Sequence, residues 1–178
     1  MNITENSLNI LTVRSYPQKG PAWINNNLKG NESIDFLCRL LNTTAEEFSQ
    51  RRNGIETAIN KLGDSVDGVI ALGDPIFPKT RGCVKAADKP FVLFYKGDIN
   101  LLSEQNLNVA VIGVLNPDEK IKLSEKIVVE ELLKHGATIV SGLALGCDTM
   151  AHQTAIENKG KTIAILPSTL NNIIPKEN

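Results

Sequence analysis

The sequence has few cysteines, and their spacing matches no known cysteine framework. The three of them, Cys38, Cys83 and Cys147, are scattered along the chain and form no CxxC pair. Such spacing argues against a disulfide framework and against the usual zinc sites, and it suits a reducing compartment. We therefore expect no bound metal and a cytoplasmic location.

The sequence also lacks an excess of charge and a long apolar run. Lys and Arg number 19 against 20 Asp and Glu, so any contact with nucleic acid has to come from a local patch. No apolar stretch approaches the ~18 residues that a membrane-spanning helix needs. The N-terminal region, which contains Glu5, has neither the basic start nor the apolar core of a signal peptide. We expect no association with membranes.

Residues 1–65 predict a small helical domain. Pro21 follows Gly20 at a favourable first helical position, and Ser33 precedes a run with helical spacing of its apolar residues. Thr43 or Thr44 can cap a further helix. Several short helices joined by small loops indicate a compact bundle.

Residues 66–178 predict an α/β domain. Apolar runs at 108–113, 137–142 and 161–166 suit strands that are buried on both faces, and helical patterns at 117–136 and 147–160 separate them. Alternation of this kind gives parallel strands with right-handed crossovers, which is a doubly wound sheet. The aromatic run at 91–98 predicts an additional strand of that sheet. Asn116 is the expected N-cap of the first helix, with Pro117 at its first position.

Ligands of such sheets bind at the carboxyl ends of the strands, where two loops are of interest. The first has only Gly113 and no GxGxxG pattern, and the acidic Asp118 and Glu119 follow it. The second, "SGLALGCDTMAH", runs from Ser141 to His152. Its glycines permit a close approach of the backbone to a ligand.

Two interpretations of the second loop remain open. In one, Asp148 caps the helix, His152 finds a structural partner, and the turn has no further role. In the other, glycine N–H groups and Ser141 hold a phosphate while Asp148 and His152 orient the loop or contact the ligand. No GxSxG elbow and no third metal ligand accompany these residues, so we expect no catalytic residue, no cofactor and no enzymatic activity.

The second loop resembles the SGxAxGxDxxAH signature of the DprA/Smf family of DNA-processing proteins. The matching positions are Ser141, Gly142, Ala144, Gly146, Asp148, Ala151 and His152. Segments such as "GDPIFP", "VAVIGVLNP" and "KGKTIAIL" are also similar to the family, in the same order. The resemblance implies a Rossmann-like domain after a small helical (SAM-like) domain.

The resemblance also implies a function. Family members bind single-stranded DNA and pass it to a RecA-type recombinase during natural transformation. Carried onto this chain, the expected DNA contacts are Gly113, Asn116, Ser141, Gly142, Gly146, Asp148 and His152. Remaining lysines, such as Lys161, Lys96 and Lys79, are expected to contribute the positive charge.

Two departures from the family weaken this expectation. Leu115 and Leu145 stand where the family usually has arginines, and leucine cannot make the bidentate contact of arginine with phosphate. The alternatives are a Rossmann-like protein that binds a nucleotide or another small ligand, and a protein-interaction domain that has lost DNA binding.

The length of the sequence gives a last expectation. Family members continue beyond the segment that corresponds to the closing "IIPKEN", and this sequence stops at Asn178. We therefore expect the C-terminal half of the Rossmann-like domain to be absent. An exposed sheet edge would favour a homodimer.

Overall fold

The structure, a computed structural model, describes residues 1–80 and 82–178 and divides into two compact units. The first unit is Met1–Gly97 and the second is Asp98–Asn178. The sequence predicts a change of architecture after residue 65. The boundary between the two units lies later, after Gly97, because the first two strands that follow residue 65 pair within the first unit.

The first unit combines helices with a small sheet. Its helices are α1 (Glu5–Arg14), α2 (Pro21–Asn27), α3 (Ile34–Leu41) and α4 (Ala45–Asn60). Its strands are β1 (Asn2–Ile3), β2 (Gly68–Ala71) and β3 (Val92–Tyr95), in the order β1-β2-β3. The core residues of this unit include Ile10, Ile24, Leu37, Phe48 and Ala71.

The predicted helix starts in this unit are confirmed. Pro21 occupies the first turn of α2, Ser33 caps α3 by accepting from the Phe36 N–H, and Thr44 caps α4. These positions follow from local chemistry, because the first N–H groups of a helix need an acceptor from outside the helix.

The strand predicted at 91–98 does not join the parallel sheet, and that part of the prediction is wrong. It forms β3, which pairs antiparallel with β2, so that Gly68 lies opposite Tyr95. A Cβ at position 68 would lie 2.5 Å from the Tyr95 hydroxyl oxygen. The glycine therefore makes room for the tyrosine ring in this pairing.

The second unit contains the predicted parallel sheet with its helices, and the α/β fold class is confirmed. Its elements are β4 (Asn108–Ala110), α5 (Glu119–Lys134), β5 (Thr138–Ser141), α6 (Cys147–Glu157) and β6 (Lys161–Ala164). The strand order is β4-β5-β6, and both pairs are parallel. The buried side chains of Val129, Ile139, Ala151 and Ala155 form its core.

The N-cap of α5 differs from the prediction. Asp118, and not Asn116, has the extended backbone of a cap, and its carboxylate accepts from the Ile121 N–H at 2.8 Å. Both residue types can cap a helix, but a carboxylate also interacts favourably with the helix dipole. Pro117 consequently precedes the helix.

Every helix within residues 1–80 and 82–178 is too short or too polar to span a membrane.

Alanine substitutions at two adjacent valines of α5 test the packing of the second unit. Val129 is fully buried and Val128 is 54% exposed. We expect Val129→Ala to lower the free energy of unfolding by about 2–3 kcal/mol, because two buried methyl groups are lost and a cavity remains. Val128→Ala is the control, with the same change of helix propensity. Equal urea midpoints for the two variants would contradict this packing.

Candidate functional site

The two loops at the carboxyl ends of β4 and β5 touch each other. The Cys147 N–H donates to the Val114 carbonyl at 3.1 Å. A Cβ at Gly113 would lie 2.5 Å from the Cys147 sulfur, and one at Gly146 would lie 2.4 Å from the carbonyl oxygens of Val114 and Leu115. Only glycine permits these approaches. We call the two loops, residues 111–118 and 142–146, the rim.

The carboxylate of Asp148 holds the second loop from within. Its Oδ2 accepts from the Gly142 N–H at 3.0 Å and from the Ala144 N–H at 3.3 Å. Asp148 is 8% exposed, and burial of a carboxylate is costly unless donors of this kind surround it. The N-cap position of α6 belongs to Gly146, so the interpretation in which Asp148 caps this helix is wrong in that respect. The Asp148 side chain instead accepts hydrogen bonds from N–H groups of the loop.

The hydrogen bonds to Asp148 occupy N–H groups that a bound phosphate would need. The Gly142 and Ala144 N–H groups point to Asp148, and the Cys147 N–H points to Val114. In the part of the chain that the structure describes, the N–H groups of Leu143, Leu145 and Gly146 have no partner. The anion-binding capacity of the second loop is therefore smaller than its sequence suggests.

The hydroxyl of Ser141 points into the protein. It donates to the Val111 carbonyl at 2.7 Å, and the residue is 4% exposed. A hydroxyl has one hydrogen to donate, so this contact fastens the end of β5 to the end of β4 and leaves Ser141 without a donor for a ligand.

His152 links α6 to the sheet. Its Nδ1 lies 2.6 Å from the Thr162 hydroxyl, which in turn donates to the Ile139 carbonyl at 3.0 Å. Because that hydroxyl has already given its hydrogen, the Nδ1 atom carries the imidazole proton. Burial lowers the pKa of His152, and the nearby Asp148 opposes this effect. The Nε2 atom is buried and has no partner among the described residues.

A buried thiol lies beneath the rim. Cys147 is 3% exposed and adjoins the carboxyl group of Glu125. This neighbour, together with burial, raises the pKa of the Cys147 thiol. Cys147 thus remains a protonated packing residue at neutral pH.

The outer surface of the rim is apolar. Leu115 is 62% exposed and Leu145 is 47% exposed, so both leucines face solvent. Ile112, which follows β4, is 81% exposed. Val114 and Ile165 are exposed as well. The positions where the family usually has arginines therefore belong to an apolar patch.

Not all of the predicted site residues meet at the rim. Gly113, Ser141, Gly142, Gly146 and Asp148 lie in or directly behind it, and Asn116 is exposed in its first loop. Lys161 begins β6, where it pairs with Thr138 at the start of β5. It is therefore at the opposite end of the strands, about 10 Å away along a four-residue strand.

Asn178 contacts the second loop, and nothing in the sequence indicates this contact. Its side-chain N–H donates to the Leu143 carbonyl at 2.8 Å, and its Oδ1 lies 2.9 Å from the Thr149 hydroxyl oxygen. It thus bridges the second loop and the first turn of α6 from outside. Leu143 has φ = 61°, a strained value for leucine, and contacts on both sides hold it there. Asn178 is 35 residues from Leu143 in the sequence, and a contact between residues so far apart leaves no periodic pattern from which it could be predicted.

A surface hollow of about 580 Å³ lies in the first unit and is lined by Cys38, Arg39, Asn42, Thr43, Thr44 and Glu47. It contains none of the predicted site residues. Among residues 1–80 and 82–178, no three His, Cys, Asp or Glu side chains are grouped so that they could hold a metal ion.

Parallel strands whose loops meet at the carboxyl ends, with glycines at the points of contact, define a doubly wound α/β protein of the Rossmann-like class. The chain belongs to the DNA recombination-mediator protein A family, whose model matches residues 68–178. The sequence resemblance to DprA/Smf proteins is confirmed.

Known relatives agree with this family. The chain is 40% identical over 91 residues to the DNA processing protein DprA of Bacillus subtilis, which covers 51% of this chain and 30% of the relative. It is 33% identical over 110 residues to the protein Smf of Borreliella burgdorferi, covering 62% of this chain and 34% of that protein. The matched segments thus span about a third of the length of these relatives.

A solved structure is similar as well. The X-ray structure of DNA processing protein A (DprA) from Streptococcus pneumoniae aligns with a TM-score of 0.69 at 26% identity. The alignment covers 100% of this chain and 62% of that chain.

The two histidines of the chain make a test of the buried site. Because burial lowers the pKa of His152 below its usual value of about 6.5, the unfolded state binds the proton more readily. The free energy of unfolding should therefore fall as the pH drops below about 6.5. We expect His152→Gln to remove part of this acid slope.

The control is His135→Gln, at the exposed end of α5. Urea unfolding at several pH values between about 5 and 8 provides the measurement. The same acid slope in wild type and His152→Gln would contradict a buried, neutral imidazole.

Proposed function

We propose that this chain binds single-stranded DNA and takes part in DNA processing and recombinase loading during natural transformation. One observation carries the proposal: the loops after β4 and β5 form a single rim built around the family's motif. The relatives are named DNA processing proteins, and the match covers only part of their length. The partners in this proposal are single-stranded DNA and a RecA-type recombinase, in the cytoplasm and without a catalytic step.

Phosphate contacts at the rim should be weak in this chain. Asp118 already occupies the N-terminus of α5, and the Asp148 carboxylate accepts hydrogen bonds from two N–H groups of the second loop. Leu115 and Leu145 add no charge. Since cationic contacts with phosphate supply much of the affinity for nucleic acids, the proposed binding depends on the remaining N–H groups and on apolar contact with bases.

A second function is favoured by the same surface. The exposed leucines at 115 and 145, with Ile112, form an apolar patch of the kind that marks protein interfaces. In this alternative the chain keeps the family fold and binds a protein at the rim in place of DNA. The small-ligand alternative has no comparable observation in its favour.

Arginines at the rim distinguish these functions. We expect Leu115→Arg/Leu145→Arg to bind a single-stranded oligonucleotide more tightly than wild type. The plot of log affinity against log salt should steepen by up to ~1.4, from ~0.7 for each phosphate that a new arginine neutralises. Fluorescence anisotropy titrations across salt concentrations provide the measurement.

The matched control is Leu107→Arg/Ile156→Arg. Both of these side chains are exposed, and they precede β4 and end α6, so the same charge is added at the opposite end of the sheet. The DNA proposal fails if the rim variant stays folded and binds no better than this control.

A further inference from the structure

One peptide group of the second loop, between Gly142 and Leu143, is held at neither end. Among residues 1–80 and 82–178, the Gly142 carbonyl and the Leu143 N–H form no hydrogen bond within the protein. Backbone groups of this kind are satisfied by water, so the peptide group reaches solvent. Hydrogen bonds of the described residues therefore leave its orientation open.

The peptide group before it is fixed at both ends. The Ser141 carbonyl accepts from the Ile165 N–H at 2.9 Å. The Gly142 N–H donates to the Asp148 carboxylate at 3.0 Å. The end of β5 thus enters the loop in a defined orientation.

The peptide group after it is fixed in the same way. The Asn178 side chain donates to the Leu143 carbonyl at 2.8 Å, and the Ala144 N–H donates to Asp148 at 3.3 Å. One open peptide group therefore lies between two fixed ones. Since a peptide group is a rigid plane, it can turn over as a unit while the chain on both sides stays in place.

Leu143 is strained in the orientation that the structure shows. Its φ of 61° lies in the left-handed region, which lowers the population of a residue with a Cβ by about 5–30-fold. Turning the preceding peptide group over changes this φ by about 180°, to the negative values that leucine prefers. The compensating change falls on ψ of Gly142, and glycine accepts it at little cost. Two orientations are thus open to this part of the loop.

We propose that the Gly142–Leu143 peptide group is a two-position switch of the rim and that a bound anion holds it in the observed orientation. In this orientation the loop presents the Leu143 N–H, which can donate to an anionic oxygen. After the peptide group turns over, the Gly142 carbonyl takes that place and repels an anion. An anion therefore shifts the populations, because it binds one orientation better than the other. Only the choice of an anion as the ligand rests on the proposed function of the rim.

Substitutions at position 143 test the two orientations by NMR spectroscopy of the full chain. The intraresidue HN–Hα NOE of residue 143 is strong only at positive φ. Leu143→Asn should raise the ratio of positive to negative φ several-fold, because asparagine tolerates the left-handed region. Leu143→Val should lower this ratio, because a β-branched residue tolerates that region poorly. Leu143→Ala is the control, since it shortens the side chain, keeps a Cβ and should stay near the wild-type ratio.

Inorganic phosphate provides the second arm, with sodium chloride at equal ionic strength as its control. Phosphate should raise the ratio of positive to negative φ in wild type and in Leu143→Val, and chloride should not. The same φ in wild type and all three variants overturns the proposal. A ratio that phosphate leaves unchanged overturns it too. The DNA proposal is decided separately, by the arginine variants at positions 115 and 145, so either proposal can fail without the other.

Discussion

The contact on which the rim depends is the one between the Asp148 carboxylate and the N–H groups of Gly142 and Ala144. A buried carboxylate is tolerated because these donors replace water, and the loop is held in shape because the carboxylate does not move. With the loop in this shape, Gly146 can approach the carbonyls of the first loop, and α6 can start against that loop. The shared rim follows from this arrangement.

The same contact limits what the rim can bind. N-termini of helices attract anions, but Asp118 and Asp148 already supply negative charge at the starts of α5 and α6. With leucines at 115 and 145, the rim combines exposed apolar side chains with a few unpartnered N–H groups within the described residues. A surface of this kind suits contact with bases or with a protein better than it suits a cradle for phosphate.

Local chemistry determined which parts of the structure could be predicted. The caps at Ser33 and Thr44 were predictable because a side chain and an N–H three residues later decide them. At α5 the sequence offers two adequate caps, and the choice of Asp118 over Asn116 depends on charge. The bridge from Asn178 to the second loop was beyond prediction, since it joins residues far apart in the sequence.

Hydrogen exchange at the second loop tests the central claim most directly. If the Asp148 carboxylate holds the loop, Asp148→Ala, which removes the acceptor, should lower the protection of the Gly142 and Ala144 amides by about 10–100-fold, as expected when a hydrogen bond to a charged group is lost. The amide of Ile139 in the core of β5 should change far less. Unchanged protection at both loop amides in the folded variant would contradict the account.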